Sequence, residues 1–237
     1  MAREVLTLKQ AAEHVHLEPN ELKHVAQRGE IEAESRGDEW FFEHRALDEW
    51  AQRQLLAATP RELQRQHNVI LEENRRARRT DWRVADLFRA DGIHLALPGK
   101  AKAGIIRDMA DLAAATGFVY DVDGLFGELK AREEIASTAI GEGAAFLHPR
   151  YHDPYLFEES FIAYGRSERP VFFGAPNGEA TRHFFLICST DHEQHLHILA
   201  RLAVLAHSTE FLSLLNEAAD ADQVLAIIRA AEDGLLA

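Results

Sequence analysis

The sequence predicts an α/β protein in which a layered, mixed β-sheet is flanked by helices, preceded by a small N-terminal unit of helix-turn-helix type with a β-hairpin wing. Two observations predict this division. Short helix signals and a hairpin break fall between positions 1 and 56, whereas amphipathic helices alternate with apolar, β-rich runs from Asp81 onward.

The charge of the chain is divided in the same way. The formal charge is −13 over 237 residues, with a net −5 in residues 1–54, +3 in 55–100 and −11 in 101–237. The basic middle is rich in Gln, Glu and Arg, which is typical of an exposed helix. We therefore expect a helix-turn-helix domain at 1–56, an arginine-rich helical linker at 57–80 and an α/β domain at 81–237.

Composition excludes several classes of protein. No run approaches the roughly 18 apolar residues of a membrane span, and the N-terminus lacks the apolar segment of a signal peptide. We therefore expect a cytoplasmic protein without membrane insertion. The single cysteine, Cys188, can form neither an internal disulfide nor a cysteine cage for a metal. The motifs of nucleotide binding, zinc hydrolysis and serine hydrolysis are missing from the sequence, so we expect no cofactor and no metal.

The N-terminal region has residues that typically begin and end helices, and a break typical of a hairpin. Thr7 and Gln10 fit a capping box at the start of a first helix. Pro19 suits the first turn of a second helix, and Gly29 suits its C-terminal cap. A break at residues 36–38 between alternating stretches predicts the hairpin.

A third helix over residues 44–56 is expected to bury Leu47 and Trp50. With it, the stretch from Val5 to Gln52 resembles the excisionase-like, MerR-related helix-turn-helix family. The resemblance is carried by the LT-x-x-x-AA start, the helix ending RGEI, the hairpin and the closing helix. It implies a winged fold, often dimeric, whose second helix and wing bind DNA. The residues implied for DNA contact are Asn20, Lys23, His24, Gln27, Arg28 and Arg36.

The charge of this domain keeps a second interpretation open. Glu18 and Glu21 lie at the start of the second helix, where a DNA-reading helix normally presents polar or basic groups. Two carboxylates there would repel the DNA backbone, so a protein-contact or dimerisation module is an equal alternative. The arginine cluster of the linker either contacts phosphates or simply faces solvent; it consists of Arg75, Arg76, Arg78 and Arg79.

From Asp81 onward the sequence predicts a layered α/β domain. Amphipathic periodicity predicts helices over 101–116, 123–135, 192–206, 209–218 and 221–231. Apolar runs predict strands over 161–164, 171–173 and 183–189. A stretch punctuated by glycines, residues 137–150, suits a strand that leads into an exposed loop.

The sequence REEIASTAIGEGAAFLHPR, residues 132–150, is similar to the signature of the enzyme IIA domain of the fructose–mannitol type in the bacterial phosphotransferase system. That family includes the nitrogen-regulatory IIA proteins. The downstream sequence resembles the family's next strand and helix, so the resemblance extends over about 81–231. The positions in register are Arg132, Glu133, Ser137, Thr138, Ile140, Gly141, Gly143, Ala145 and His148.

The resemblance implies a histidine that a small histidine-containing phosphocarrier protein phosphorylates. By position, His148 is the implied nucleophile, Arg132 the phosphate-binding cation and His195 the second active-site histidine. A neutral imidazole is nucleophilic near pH 7, and nearby cations stabilise a phosphoryl group during transfer. The implied phosphate-binding loop consists of Ser137, Thr138, Gly141 and Gly143.

Departures from the signature leave three functions open. Leu147 replaces the usual proline, and Pro149 removes a backbone N–H beside His148. The favoured function is a cytoplasmic regulator that signals phosphorylation through its first domain to DNA or a protein partner. The alternatives are a sugar-specific phosphoryl carrier that feeds a membrane permease, and a IIA-like binding module that is not phosphorylated.

Overall fold

The computed structural model describes residues 5–37, 39–59, 61–62, 83–150, 156–190 and 192–236. Contacts divide the chain into two compact units, residues 1–79 and 80–237. Most of the predicted linker, including Arg75, Arg76, Arg78 and Arg79, lies outside the described residues. Each unit is described by itself below.

In the part that the structure describes, the first unit combines three short strands with three helices. Its elements are β1 (Val5–Thr7), α1 (Leu8–His14), α2 (Pro19–Gln27), β2 (Ala33–Arg36), β3 (Glu39–Glu43) and α3 (His44–Ala57). The antiparallel sheet has the order β1-β3-β2, so the predicted hairpin is present as β2 and β3 and gains β1 as a third strand. Strand β1 was not predicted, because three residues are too few to show alternation.

The helix boundaries of the first unit follow local chemistry. The capping box is confirmed: the Thr7 side chain accepts from the Gln10 N–H, and the Gln10 side chain accepts from the Thr7 N–H. Gly29 adopts φ of +72°, the left-handed conformation expected after α2. Leu47 and Trp50 are buried as predicted.

The second unit is built around a five-stranded mixed sheet. After a single 3₁₀ turn (Val84–Leu87) its strands are β4 (Phe88–Leu97), β5 (Ala139–Gly141), β6 (Ala144–Leu147), β7 (Phe161–Val171) and β8 (Thr181–Cys188). Its helices are α4 (Lys102–Ala115), α5 (Val122–Ile135), α6 (His192–Ala206), α7 (Thr209–Glu217) and α8 (Ala221–Leu236). All five helices lie where the sequence predicts them, although α8 continues beyond its predicted end at Ala231.

Three strand predictions differ from the structure. The stretch 137–150, predicted to hold one strand, holds two, β5 and β6. Strand β4 was missed, since most of its residues are exposed or half-buried and carry no clear apolar alternation. The run predicted at 161–164 and the first residue of the run predicted at 171–173 belong to one strand, β7, which ends at Val171 and whose register shifts between Arg166 and Val171. The polar residues between the runs suggested a turn but instead lie in an irregular part of this strand.

The strand order is β4-β7-β8-β6-β5. Strand β6 runs parallel to β8, and β5 runs antiparallel to β6. The carboxyl ends of β6 and β8 therefore meet at one edge of the sheet, and β5 begins at that same edge. As a result, the end of α5, the residue after β6 and the beginning of α6 converge there.

Helices cover both faces of the sheet. Ile105, Met109 and Leu125, from α4 and α5, form one apolar cluster with Phe184 and Leu186 of β8. Because successive side chains of a strand point to opposite faces, Phe185 points the other way and contacts Phe146 of β6. Helix α6 packs against β8, and α8 packs against β4. The predicted layered α/β architecture is thus confirmed for this unit.

A buried ion pair joins the two ends of the second unit. The Glu232 carboxylate of α8 accepts from the N–H groups of Val84 and Ala85, each at 2.8 Å. Arg201 of α6 donates to the same carboxylate at 2.7 Å. An unsatisfied buried charge is costly, so these contacts fix α8 against the start of the unit.

Within the described residues, no single helix has the length and apolar character to cross a membrane. Helices α6 and α7 reach that threshold only when taken together, and they are bent by 86° relative to each other.

Candidate active site

A histidine, an arginine and a second histidine meet at the sheet edge where β6 and β8 end. His148 directly follows β6, Arg132 lies in the last turn of α5, and His195 lies in the first turn of α6. All three are buried, with exposed fractions of 1%, 3% and 1%. The strand order alone accounts for this meeting of residues that are distant in the sequence.

The hydrogen bonds of His148 define which ring nitrogen carries the proton. Arg132 Nε donates to His148 Nε2 at 3.0 Å, and a guanidinium can only donate. His148 Nδ1 lies 2.8 Å from the Phe146 carbonyl oxygen, which can only accept. The ring is therefore neutral, with its proton on Nδ1 and its lone pair on Nε2 directed at the guanidinium.

Arg132 is held in this position by the backbone at the end of its helix. Its Nη1 donates to the Ala136 carbonyl oxygen at 3.0 Å, which satisfies a carbonyl that α5 leaves open. The guanidinium thus bridges the end of α5 and His148. This places a permanent positive charge next to His148 Nε2.

His195 packs edge-on against His148. Their ring centroids are 4.9 Å apart and the planes are inclined by 60°. His195 lies in the first turn of α6, near a helix N-terminus, where backbone N–H groups favour negative charge. The Arg132 guanidinium and the first turn of α6 thus both adjoin the His148 ring.

The predicted phosphate-binding residues divide into two groups. The Thr138 carbonyl accepts from the Phe146 N–H, so Ser137 and Thr138 lie at the same end of β6 as His148. Their hydroxyl groups are already used, Ser137 donating to the Phe173 carbonyl and Thr138 to Glu133. They hold the site together and are not directed at His148.

Gly141 and Gly143 correct the prediction of one continuous loop. Gly143 is separated from His148 by the extended strand β6, a distance of roughly 16 Å. Residues 141–143 all have positive φ and form a tight turn at the opposite end of β6. Gly143 and Glu142 instead line a separate cavity of about 320 Å³ with Arg182. The backbone of this turn is therefore too distant to contact His148.

The environment of His148 also differs from the predicted exposed loop. Residues 144–149 are all buried. Their apolar composition, AAFLHP, already favours burial, but the proline and histidine suggested a surface turn.

Glu133 and Lys102 support the site and were not predicted as site residues. The buried Glu133 carboxylate accepts from the Thr138 N–H at 3.0 Å and from the Thr138 hydroxyl at 2.7 Å. Lys102 Nζ donates to it at 2.9 Å. Glu133 follows Arg132 in the matched signature, which is the signal that could have identified it. Lys102 lies far upstream of the signature and gives no such signal.

The residues predicted for DNA contact lie on an exposed surface of the first unit. Asn20, His24, Gln27, Arg28 and Arg36 are exposed, and Lys23 is half-buried. Both arginines are paired with carboxylates. Arg28 donates to Glu30, and Arg36 donates to both oxygens of Glu34 at 3.0 and 2.8 Å. These hydrogen bonds raise the pKa of each arginine and reduce the positive charge that the surface offers to phosphates.

The fold and the buried His–Arg–His arrangement define a IIA-type domain, and the comparison with protein families agrees. Residues 86–231 match the family described as phosphoenolpyruvate-dependent sugar phosphotransferase system, EIIA 2. This match covers more than half of the chain. The chain therefore belongs to that family, and the matched residues lie within the second unit.

Individual relatives include both regulatory and sugar-system proteins. A nitrogen regulatory protein of Bradyrhizobium diazoefficiens is 28% identical over 148 residues, which cover 61% of this chain and 94% of the relative. A phosphotransferase system fructose-like EIIA component of Escherichia coli is 25% identical over 141 residues, covering 59% and 93%. The crystal structure of the nitrogen regulatory protein IIA-Ntr from Neisseria meningitidis shares the fold, with a TM-score of 0.56 and 24% identity over 61% of this chain and 98% of that one.

Proposed function

We propose that this protein is a cytoplasmic regulator whose IIA-type domain accepts a phosphoryl group on His148 from a histidine-containing phosphocarrier protein. The first unit then transmits the phosphorylation state to DNA or to a protein partner, as a monomer or a homodimer. The observation that carries the proposal is the direct contact of His148 Nε2 with the Arg132 guanidinium.

The proposed transfer uses the lone pair on Nε2. This lone pair attacks the phosphorus of the donor's phosphohistidine, a P–Nε2 bond forms, and the donor's P–N bond breaks with its electrons returning to the donor ring. The His148 proton remains on Nδ1, held by the Phe146 carbonyl. Arg132 shifts its Nε–H from Nε2 to the phosphoryl oxygens, where its charge stabilises the transferring group. The N-terminus of α6, where His195 lies, adds to the positive field.

Burial of His148 supports a second candidate function. With an exposed fraction of 1%, Nε2 can meet a donor only if the site opens. Leu147 and Pro149 also depart from the family signature at the residues on either side of His148. These observations favour a IIA-type binding module that is not phosphorylated. The hydrogen bond between Arg132 and His148 would then have a purely structural role.

The first unit is the argument for regulation rather than sugar transport. Its two helices, hairpin and closing helix agree with the order of elements in the excisionase-like winged helix-turn-helix resemblance. Nitrogen regulation is supported by the relative of B. diazoefficiens, whereas the fructose-like relative supports the sugar-carrier alternative. The paired arginines leave DNA and protein as equally reasonable partners of this unit.

The deciding experiment is phosphotransfer to the full chain from a radiolabelled histidine-containing phosphocarrier protein. We expect acid-labile label on the wild type and none on His148→Ala. His207→Ala, which changes a histidine outside the site in the same unit, serves as the matched control and retains the label. Arg132→Gln should slow single-turnover transfer by on the order of 10²-fold, because it removes one charged donor.

An unlabelled but folded wild type would overturn the proposal and leave the binding module. If label appears, a membrane permease and candidate sugars are added next. Onward transfer of the label to a sugar would identify a carrier, and retention on the protein would support a regulator.

A further inference from the structure

Two histidines and an aspartate of the first unit form a compact group that the proposed function does not use. His14 lies at the end of α1, and His44 and Asp48 lie in the first turns of α3. One potential ligand atom from each residue can be chosen so that all three atoms lie within 4.8 Å of one another. The sequence predicted no metal site, because His14 is distant from the other two residues along the chain and no local spacing links them.

The geometry of the group follows from helix periodicity. His44 and Asp48 are one helical turn apart, so they share one face of α3. Asp48 uses one oxygen toward each histidine: Oδ1 lies 2.8 Å from His14 Nε2, and Oδ2 lies 3.4 Å from His44 Nδ1. The two imidazole rings are tilted by 49° with centroids 4.4 Å apart. Both rings thus direct a nitrogen at the same carboxylate.

We infer that His14, His44 and Asp48 form a binding site for a divalent transition-metal ion such as Zn²⁺. Imidazole nitrogen and carboxylate oxygen are ligands that zinc and its neighbours prefer. Ligands at about 2.0–2.1 Å in tetrahedral coordination lie about 3.3 Å from one another. One ligand atom from each of the three residues already lies within 4.8 Å of the other two, so side-chain adjustments of about 1.5 Å or less bring them to that spacing.

The partial burial of the group suits such a site. The side chains of His14, His44 and Asp48 are 16%, 27% and 14% exposed. An ion can therefore enter from solvent, and water can complete its coordination. On binding, the imidazole nitrogen that donates to Asp48 releases its proton to solvent and presents its lone pair to the ion.

A bound ion would join α1 to α3. In its absence, the hydrogen bond between His14 and Asp48 already links the two helices. An ion that binds only the folded unit adds stability that grows with its concentration relative to its dissociation constant. The inference is independent of phosphorylation, because its residues lie in the other unit of the chain.

The test uses the full chain, stripped with a chelator and titrated with Zn²⁺ alone. Other histidines of the chain can also bind zinc, so the readout is the difference between variants in bound zinc per chain and in unfolding midpoint. His44→Gln is the informative variant, because it removes one ligand and leaves the His14–Asp48 hydrogen bond in place. His24→Gln changes an exposed histidine of the same unit and is the matched control.

We expect the wild type and His24→Gln to bind one more zinc ion than His44→Gln and Asp48→Asn. Zinc affinity at this site should fall by at least about tenfold in His44→Gln, since even groups that only support a ligand contribute that much. Zinc should also raise the unfolding midpoint of the first unit in the wild type and in His24→Gln, but not in His44→Gln or Asp48→Asn. Equal stoichiometry and equal zinc-induced shifts in wild type and His44→Gln would overturn the inference.

Discussion

At the scale of single residues, burial controls the chemistry of the histidines in different ways. His148 is buried against a cation and keeps a defined tautomer. His183 is buried in β8 beside Tyr164, whose hydroxyl lies 2.8 Å from His183 Nδ1. Burial, with smaller contributions from Arg182 and Arg166, lowers the pKa of His183 from 6.5 to about 4. Between about pH 6.5 and about pH 4, His183 therefore stays neutral in the folded protein, whereas the same side chain becomes protonated in the unfolded chain.

The lowered pKa of His183 predicts a pH dependence of stability. As pH falls from about 6.5 to about 4, the unfolded chain binds a proton that the folded chain does not, so stability decreases through that window. A shift of this size corresponds to about 3 kcal/mol once pH is below the folded value. We expect His183→Gln to lose less stability than wild type between pH 7 and pH 4, measured by urea unfolding. Parallel pH profiles for the two proteins would contradict the assignment.

At the scale of elements, two glycines of the second unit differ in their role. One allows secondary-structure elements to pack closely, and the other only lowers the helix propensity of its segment. A Cβ at Gly165 of β7 would lie 2.5 Å from Leu97 Cδ1 and from Met109 Sδ, so β7, β4 and α4 approach one another at this residue. A Cβ at Gly127 of α5 would have no neighbour within 4 Å. The same substitution should therefore have opposite effects at the two positions.

Gly165→Ala is expected to destabilise the second unit by about 1–3 kcal/mol, because Leu97 and Met109 must move in a packed core. Gly127→Ala is expected to stabilise it by about 0.5–1 kcal/mol, because alanine is the better helix former. Chemical denaturation of both variants measures the two effects. A neutral Gly165→Ala would show that β7 and α4 are less tightly packed than described.

Elements with strong local signals could be predicted, and those without them could not. Helix α1 could be predicted because Thr7 and Gln10 have the residue types and the spacing of a capping box. Strand β4 was not, since its stability comes from pairing with β7 rather than from its own apolar pattern. Long-range pairing is invisible to local periodicity.

The same distinction applies to the candidate sites. His148 and Arg132 could be named because the family signature includes their positions, and His195 because the downstream sequence resembles the family's next helix. Their hydrogen bonds and their burial depend on the strand order, which no local pattern reveals. The group of His14, His44 and Asp48 had no signature, and only the fold of the first unit brings the end of α1 close to the start of α3.

At the scale of the whole molecule, a regulator requires that phosphorylation change what the first unit binds. We expect phosphorylation to change the affinity of the full chain for its DNA or protein partner by about 5-fold or more, the usual size of coupling between sites. Fluorescence anisotropy on DNA selected from a random library, at fixed salt, measures this for DNA. His148→Ala, exposed to the same phosphocarrier mixture, is the control. A partner whose affinity is unchanged by phosphorylation of the wild type would argue against coupling between the units.

The Glu232 carboxylate accepts hydrogen bonds from the N–H groups of Val84 and Ala85, and this contact has a consequence for the topology of the second unit. The first and last elements of this unit are adjacent. The same arrangement of strands can therefore be formed by a chain whose termini lie elsewhere in the unit. A circular permutant that joins these ends, and opens the chain at the exposed turn around Gly178 between β7 and β8, would keep every strand neighbour. We expect such a permutant to keep the site at the carboxyl ends of β6 and β8 in place.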